Sequence, residues 1–262
     1  MEEEVLAGGV ANAGAVVRVG PHVLRPSNPH SQTIHLLLRY VRAAGFEGAP
    51  EPVGVDADGR ERLVFIHGEV PYPPFPEWSQ TDEALASTAA LLARFHGATR
   101  GFAAPAGLSW SDELADPAGG PVICHNDVCP ENVVYRSGRA VALLDFDFAA
   151  PGRPLYDLAQ LAKMCVPLDT PEDAARLGRG SLDPFRRLRI VADAYGLPAE
   201  RSDFLAMLEE GIEAGHHFVR RRVERGEPAF VTMWEQMGGQ ARYDRRQLWF
   251  SRNRQRFLDA LG

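Results

Sequence analysis

Lysine is nearly absent from this sequence, and cysteine is scarce. Of the 28 lysine and arginine residues only Lys163 is a lysine, so a phosphate-binding lysine or arginine upstream of it must be an arginine. The three cysteines, Cys124, Cys129 and Cys165, cannot all pair, and none lies in a C-x-x-C arrangement. This pattern predicts free, mostly buried thiols in a reducing compartment and argues against a disulfide framework.

Long apolar runs, a basic leader and a P-loop are also missing. No apolar run reaches the roughly 18 residues of a membrane helix, and the acidic start MEEEVLAGGV is the opposite of a secretory leader. We therefore expect a cytoplasmic protein with no membrane partner. The absence of G-x-x-x-x-G-K-[ST] argues against a P-loop NTPase. A net charge of −7 argues against a nucleic-acid partner, because phosphate backbones bind basic surfaces.

The length of 262 residues suits one large domain or two lobes. Near the N-terminus, Ile34, Leu37, Leu38 and Val41 follow the i, i+3, i+4, i+7 period of an amphipathic helix. Short β-like runs flank this helix at residues 15–19, 23–24 and 63–66. A segment rich in proline and aromatic residues then predicts a hinge. We expect an N-terminal lobe over 1–68, a hinge or linker over 69–79 and a C-terminal lobe over 80–262.

The C-terminal part predicts mainly helices, interrupted by a few short strands. Apolar periodicity indicates one helix over about 81–97 and a long one from near Ser202 to Gly226. Between them, strands are expected at 122–124, 133–136 and 141–146. The fold class predicted from this order is α+β, with a small β-rich lobe before a larger helical one.

Polar side chains crowd the loop between the first two of these strands. The segment CHNDVCPENVVY, residues 124–135, places Asp127 two residues after His125 and five before Asn132. The following segment VALLDFDFA delivers Asp145 to a strand end, with Asp147 two residues further on. A hairpin turning between the second and third strands would bring Asn132 and Asp145 together.

Such a cluster of oxygen-bearing side chains repels itself unless a hard cation binds. Mg²⁺ takes one or two carboxylates together with phosphate oxygens. A further carboxylate nearby could accept a proton from an attacking hydroxyl. Two interpretations remain open for Asp147, a second metal contact or an acid of the turn.

The spacing H-x-D-x-x-x-x-N followed by a strand-end Asp resembles the catalytic loop and magnesium-binding motif of protein kinases. Because the second motif reads DFDFA, the chain resembles more specifically the aminoglycoside phosphotransferase/choline kinase-like family. The segment RPLYDLAQL echoes that family's D-x-x-x-D-L-A pattern at Asp157. The resemblance implies a protein-kinase-like bilobal fold and a kinase that uses Mg²⁺ with ATP or GTP. It implies the following roles: Asp127 as the base, Asn132 and Asp145 as metal ligands, and His125 and Asp157 as structural support.

The resemblance extends to LAGGVANAGAVVRVGPHVLRP near the N-terminus, which is similar to the family's glycine-rich hairpin and following strand. It implies that Gly8, Gly9 and Asn12 form a turn over the nucleotide phosphates, whose backbone N–H groups bind oxyanions. It also implies that Arg25 is the phosphate-binding cation. Kinases pair this cation with a helix glutamate, but the helix over 31–44 contains no acid. Arg25 therefore lacks an orienting partner, or the register differs.

The acceptor is expected to be a small molecule with a hydroxyl group. Asp145 and Asp157 are only twelve residues apart, too close for the activation segment of a protein kinase. Acids in the later helices could contact an amino-bearing acceptor such as an aminoglycoside, or they could be solvated helix residues: Asp203, Glu209, Glu210, Glu213 and Glu235. Two other functions stay open: a nucleotide-binding pseudokinase and a metal-dependent hydrolase. The oligomeric state is expected to be monomer or dimer.

Overall fold

A five-stranded antiparallel sheet precedes a larger helical region. The computed structural model describes residues 3–7, 14–198 and 201–262. The strands are β1 (Glu4–Val5), β2 (Val17–Val19), β3 (His22–Pro26), β4 (Pro52–Val55) and β5 (Arg60–Val64), and their spatial order is β1-β2-β3-β5-β4. The sequence patterns missed β1 and β4. β4 reads Pro-Val-Gly-Val, and it lies at the sheet edge, where a strand can form without a regular alternation of apolar residues.

Helix α1 (Ser31–Ala43) lies between β3 and β4 in the chain, where the sequence predicts it. Its apolar stripe of Leu37, Leu38 and Val41 is buried and joins the main hydrophobic core. Gly45 follows the helix with a φ of 85°, a left-handed conformation that glycine adopts without steric cost. α1 thus anchors the sheet to the helical region by the burial of one face.

Two short antiparallel pairs carry the loops that contain the motif residues. β6 (Val122–Cys124) pairs with β9 (Ala150–Gly152), and β7 (Val133–Arg136) pairs with β8 (Arg139–Leu143). Ser137 and Gly138 have φ values of 50° and 74°, which suit a tight hairpin turn. β8 ends at Leu143, three residues before the predicted end, because the next residues leave the strand to form the loop that contains Asp145.

The remaining chain is helical, and its helices pack around one core that runs from α1 to the C-terminus. α2 (Asp82–Thr99) follows the predicted hinge and contacts both β8 and α5 (Pro184–Tyr195). The helices after α1 are α2 (Asp82–Thr99), α3 (Pro154–Cys165), α4 (Pro171–Ala175), α5 (Pro184–Tyr195), α6 (Ser202–Glu224), α7 (Pro228–Gln236) and α8 (Gly239–Leu261). Among the described residues, none of these helices combines the length and apolar character that a membrane span requires.

Candidate active site

The loop after β6 is held in place by a buried carboxylate. Asp157, in the first turn of α3, accepts hydrogen bonds from the backbone N–H groups of His125 at 2.6 Å and Asn126 at 2.8 Å. Its Oδ2 also lies 2.9 Å from Nε2 of His96, a residue of α2. Burial acts to raise the pKa of Asp157, but the hydrogen bonds from His96 and from the loop lower it below its ordinary value. Asp157 therefore braces the loop and is not the N-cap of α3, a position that Arg153 occupies.

His125 joins this loop to the segment that contains Asp145. Its side chain is buried, and Nε2 lies 2.8 Å from the carbonyl oxygen of Leu144. Its ring packs against Phe146 with the ring centroids 4.6 Å apart. Burial lowers the pKa of His125, so the neutral imidazole is favoured. These contacts connect the loop after β6 with the loop after β8, and a structural role for His125 remains a prediction.

Asp127 and Asn132 are in direct contact across this loop. The Nδ2 group of Asn132 donates to both the backbone oxygen and Oδ2 of Asp127, each at 3.0 Å. The backbone N–H of Leu144 donates to the carbonyl of Asn132 at 2.8 Å, which brings Asp145 beside them. Burial and the nearby charge of Asp145 raise the pKa of Asp127 to about 7. A carboxyl group with this pKa is suited to general base catalysis near neutral pH.

Arg25 of β3 bridges the two acids that follow β8. Its Nη1 lies 3.1 Å from Oδ1 of Asp145, and its Nη2 is hydrogen-bonded to Oδ2 of Asp147. Asp145 has a φ of 60°, an uncommon conformation for a residue with a side chain. Burial and repulsion by Asp145 raise the pKa of Asp147 to about 6, although Arg25 opposes the rise. Arg25 thus connects the five-stranded sheet with the loop that follows β8.

The region between Arg25 and the loops of Asp127 and Asp145, here named the cleft, holds oxygen atoms that suit a hard divalent cation. Asp145 and Asp147 supply carboxylates, and the Nδ2 group of Asn132 donates a hydrogen bond to Asp127. No described residue donates a hydrogen bond to Oδ1 of Asn132, so that amide oxygen is available as a ligand. Carboxylate and amide oxygens are ligands that Mg²⁺ accepts, and a cation here would also relieve the repulsion between Asp127 and Asp145.

Sequence reasoning missed one carboxylate beside Arg25 and one neighbour of Asp127. Glu61 of β5 lies beside Arg25, with Nε and Oε2 3.4 Å apart, and His35 of α1 contacts the other oxygen of Glu61. Lys163 of α3 is near enough to Asp127 that the charge of Asp127 affects the pKa of Lys163. Burial lowers the pKa of Lys163 to about 8, while Asp127 opposes this change. Only the rarity of lysine marked Lys163 in the sequence, and no local pattern marked Glu61.

Three predicted nucleotide-binding residues cannot be compared with the structure. Gly8, Gly9 and Asn12 lie outside the described residues. Their neighbour Gly14 is described, and it adopts a left-handed φ of 79° in a turn. The role of this glycine-rich segment remains a prediction.

Comparison with known proteins decides the family. The model of the APH phosphotransferase enzyme family matches residues 103–191, which include the loop after β6 and the segment that follows β8. The chain is also 34% identical over 247 residues to the trifolitoxin immunity protein of Rhizobium leguminosarum bv. trifolii, a match that covers 89% of this chain and 92% of that protein. The chain belongs to the APH phosphotransferase family. It is an enzyme of the small-molecule kinase type, as the motifs predict.

Solved structures of the phosphotransferase family share the fold. A choline/ethanolamine kinase family protein from Mesorhizobium loti superposes with a TM-score of 0.65 at 18% identity, over 100% of this chain and 92% of that one. The GDP complex of aminoglycoside 2'-phosphotransferase-IIIa gives a TM-score of 0.59 at 14% identity, over 97% and 93% of the two chains. The predicted kinase-like bilobal fold is therefore confirmed.

Proposed function

We propose that this phosphotransferase moves the γ-phosphoryl group of ATP or GTP to a hydroxyl of a small molecule. The observation that supports this most strongly is the contact of Asp127 with Asn132 beside the loop of Asp145. In the reaction the acceptor oxygen bonds to the γ-phosphorus while the bond from that phosphorus to the β–γ bridging oxygen breaks. Asp127 aligns the acceptor hydroxyl and takes its proton, and the nucleoside diphosphate leaves with the electron pair.

Asn132 and Asp145 are proposed to hold Mg²⁺, with Asp147 as a further ligand. When bound, this ion neutralises charge on the phosphates of the co-substrate. Arg25 is proposed to hold the phosphates from the sheet side, because a guanidinium keeps its charge and binds phosphate oxygens in pairs. The transfer itself needs positioning and charge stabilisation more than covalent participation of the protein.

A nucleoside triphosphate as co-substrate is supported by relatives solved with nucleotides. One is the GDP complex described above, and another is a streptomycin–ATP ternary complex of an aminoglycoside phosphotransferase, with a TM-score of 0.58 at 13% identity. These relatives carry different nucleotides, so both ATP and GTP belong in the assay. The two aminoglycoside enzymes also motivate aminoglycosides as candidate acceptors.

The acids predicted to contact an amino-bearing acceptor have varied surroundings. Glu209 pairs with Arg254 at 2.9 Å, and Glu210 lies 3.8 Å from Arg153. Asp203, Glu213 and Glu235 are exposed on helix surfaces. These contacts favour the interpretation of Glu209 and Glu210 as ordinary surface ion pairs. We therefore propose a hydroxyl-bearing antibiotic or toxin as the acceptor class, supported by the immunity protein among the relatives, without requiring an amino group.

The proposal is tested by incubating the purified protein with Mg²⁺ and γ-³²P-labelled ATP or GTP. The acceptor panel contains aminoglycosides, macrolides, choline, homoserine, sugars and trifolitoxin. Label transferred to one acceptor class, at a rate well above hydrolysis in its absence, supports the function. Calorimetric binding of Mg·ATP and Mg·GTP without transfer to any acceptor would favour the pseudokinase. Product release from an acceptor ester without nucleotide would favour the hydrolase.

A further inference from the structure

Three carboxylates surround the guanidinium of Arg25, and they come from two different parts of the molecule. Asp145 and Asp147 follow β8, and both belong to the proposed metal site. Glu61 belongs to β5, in the same sheet as Arg25. The exposed fractions of Arg25 and Glu61 are 8% and 3%, so neither charge is screened by bulk water. Glu61 is thus the one acid of the three that no metal ion would engage.

The register of the sheet fixes the contact between Glu61 and Arg25. In the antiparallel pairing of β3 with β5, Arg25 lies directly opposite Glu61. Residues opposite each other in such a pair point to the same face, with Cβ atoms about 4.5–5.5 Å apart. Glu61 therefore stays beside Arg25 as long as the sheet is formed, whatever occupies the cleft.

His35 reaches Glu61 from the helix that covers the sheet. Its Nε2 lies 3.3 Å from Oε1 of Glu61, while the other carboxylate oxygen faces Arg25. His35 is 5% exposed, and it lies on the buried face of α1. The helix thus contributes an imidazole nitrogen beside the carboxylate that the strand contributes.

We propose that Glu61 positions Arg25 against the nucleotide phosphates and that His35 fixes the orientation of Glu61. This inference rests on the proposed function, because it assigns Arg25 to phosphate. A cation bound by Asp145 and Asp147 would compete with Arg25 for their oxygens, whereas Glu61 would keep its contact with the guanidinium. Glu61 and His35 are positioning residues, since they act on the substrate through Arg25.

The test removes the charge of Glu61 and then introduces a new carboxylate on helix α1, at residue 35. Glu61→Gln keeps the size of the side chain and removes its charge. Because the charge of Glu61 faces a buried guanidinium that bulk water does not screen, we expect Mg·ATP affinity and kcat/KM for the nucleotide to fall about 10- to 100-fold. In the double variant Glu61→Gln/His35→Glu the carboxylate comes from α1, so we expect about tenfold of the loss to be recovered.

The matched control lies in the same sheet. Asp56→Asn breaks the ion pair between Asp56 and Arg62, in which Oδ2 and Nη2 are 2.6 Å apart. Arg62 is the residue that follows Glu61 on β5. Arg62 points to the opposite face from Glu61, so this variant should change affinity and kcat/KM less than about twofold. Thermal unfolding of each variant measures folding separately. If Glu61→Gln does not fold, Glu61→Asp is used, which keeps the charge and shortens the reach.

Two measurements keep this inference separate from the proposed function. Nucleotide affinity is determined by calorimetry and does not need an acceptor, whereas kcat/KM does. A wild-type protein that binds Mg·ATP but transfers to no acceptor would reject the function, while the affinities of the variants would still test Glu61. The positioning role is overturned if Glu61→Gln changes affinity less than threefold. It is also overturned if affinity falls and the carboxylate on α1 restores none of it.

Discussion

The two sides of the cleft are built differently. On the helical side, the residues from His125 to Asp145 are close in sequence, and hydrogen bonds of 2.6–3.0 Å connect them to one another and to Asp157. On the sheet side, Arg25 depends on Glu61 and His35, which come from another strand and from a helix at 3.4 and 3.3 Å. The residues proposed for the chemistry are thus concentrated in a local segment, whereas the proposed phosphate contact of Arg25 depends on tertiary pairing.

The largest expected effect tests the helical side. Asp127→Ala removes the proposed base, and general bases contribute about 10²- to 10⁴-fold to rates. We expect kcat to fall by about 10³-fold, while Mg·ATP affinity stays within a few-fold, because Arg25 and Asp145 keep their contact and Asn132 keeps its hydrogen bond to the backbone oxygen of residue 127. Single-turnover transfer to the acceptor identified in the panel measures the rate, and calorimetry measures the affinity. Undiminished turnover would reject Asp127 as the base.

Asp157→Asn should break the brace beneath the same loop. The asparagine amide cannot accept all the hydrogen bonds that the carboxylate receives, so a buried donor is left unpaired. We expect the free energy of unfolding at pH 7 to fall by about 3 kcal/mol, as measured by urea denaturation. A loss below about 1 kcal/mol would contradict the role of Asp157 as a brace.

The difference in the free energy of unfolding between wild type and Asp157→Asn should depend on pH, because folding shifts the pKa of Asp157. The folded protein holds the pKa of Asp157 below its ordinary value of 3.8. Its ionised form therefore contributes stability that is complete above about pH 4 and is lost as the pH falls through the folded pKa. The gap between wild type and Asp157→Asn should be constant from pH 7 to 5 and should shrink below pH 4. Asp183→Asn, at the exposed N-cap of α5, serves as a carboxylate control outside the network.

These expectations also indicate how far the sequence could predict the site. Asp127, Asn132 and Asp145 are separated by short segments with clear strand patterns, so a single hairpin was enough to bring them together. Glu61 was missed because its contact with Arg25 depends on the register of β3 with β5, and the intervening β4 had no readable strand pattern. Helix α1 contains no acid that could face Arg25, and a carboxylate beside this arginine comes from the neighbouring strand β5. The domain boundaries at 68 and 80 remain predictions.

A smaller effect on nucleotide affinity is expected when the guanidinium of Arg25, on the sheet side, is replaced by an ammonium. Arg25→Lys keeps one positive charge, but an ammonium cannot face Glu61, Asp145 and Asp147 in the forked geometry of a guanidinium. We expect Mg·ATP affinity to fall about tenfold, equivalent to about 1.4 kcal/mol, with little change in kcat at saturating nucleotide. Titration calorimetry and the dependence of rate on ATP concentration separate the two quantities. A tenfold fall in kcat with unchanged affinity would move Arg25 from binding to the chemical step.

The smallest effect comes from an ion pair that belongs to neither side of the cleft. Arg220 and Glu224 lie one helical turn apart on α6 with 2.7 Å between Nη2 and Oε1, and their side chains are 50% and 60% exposed. Because water screens such a pair, Glu224→Gln should change the free energy of unfolding by less than about 0.5 kcal/mol and leave transfer unchanged. The contrast with Glu61 is the purpose of this variant, since both substitutions remove one glutamate charge beside one arginine. If Glu224→Gln reduced nucleotide affinity as much as Glu61→Gln, the effect of Glu61 would reflect overall charge and not its buried contact with Arg25.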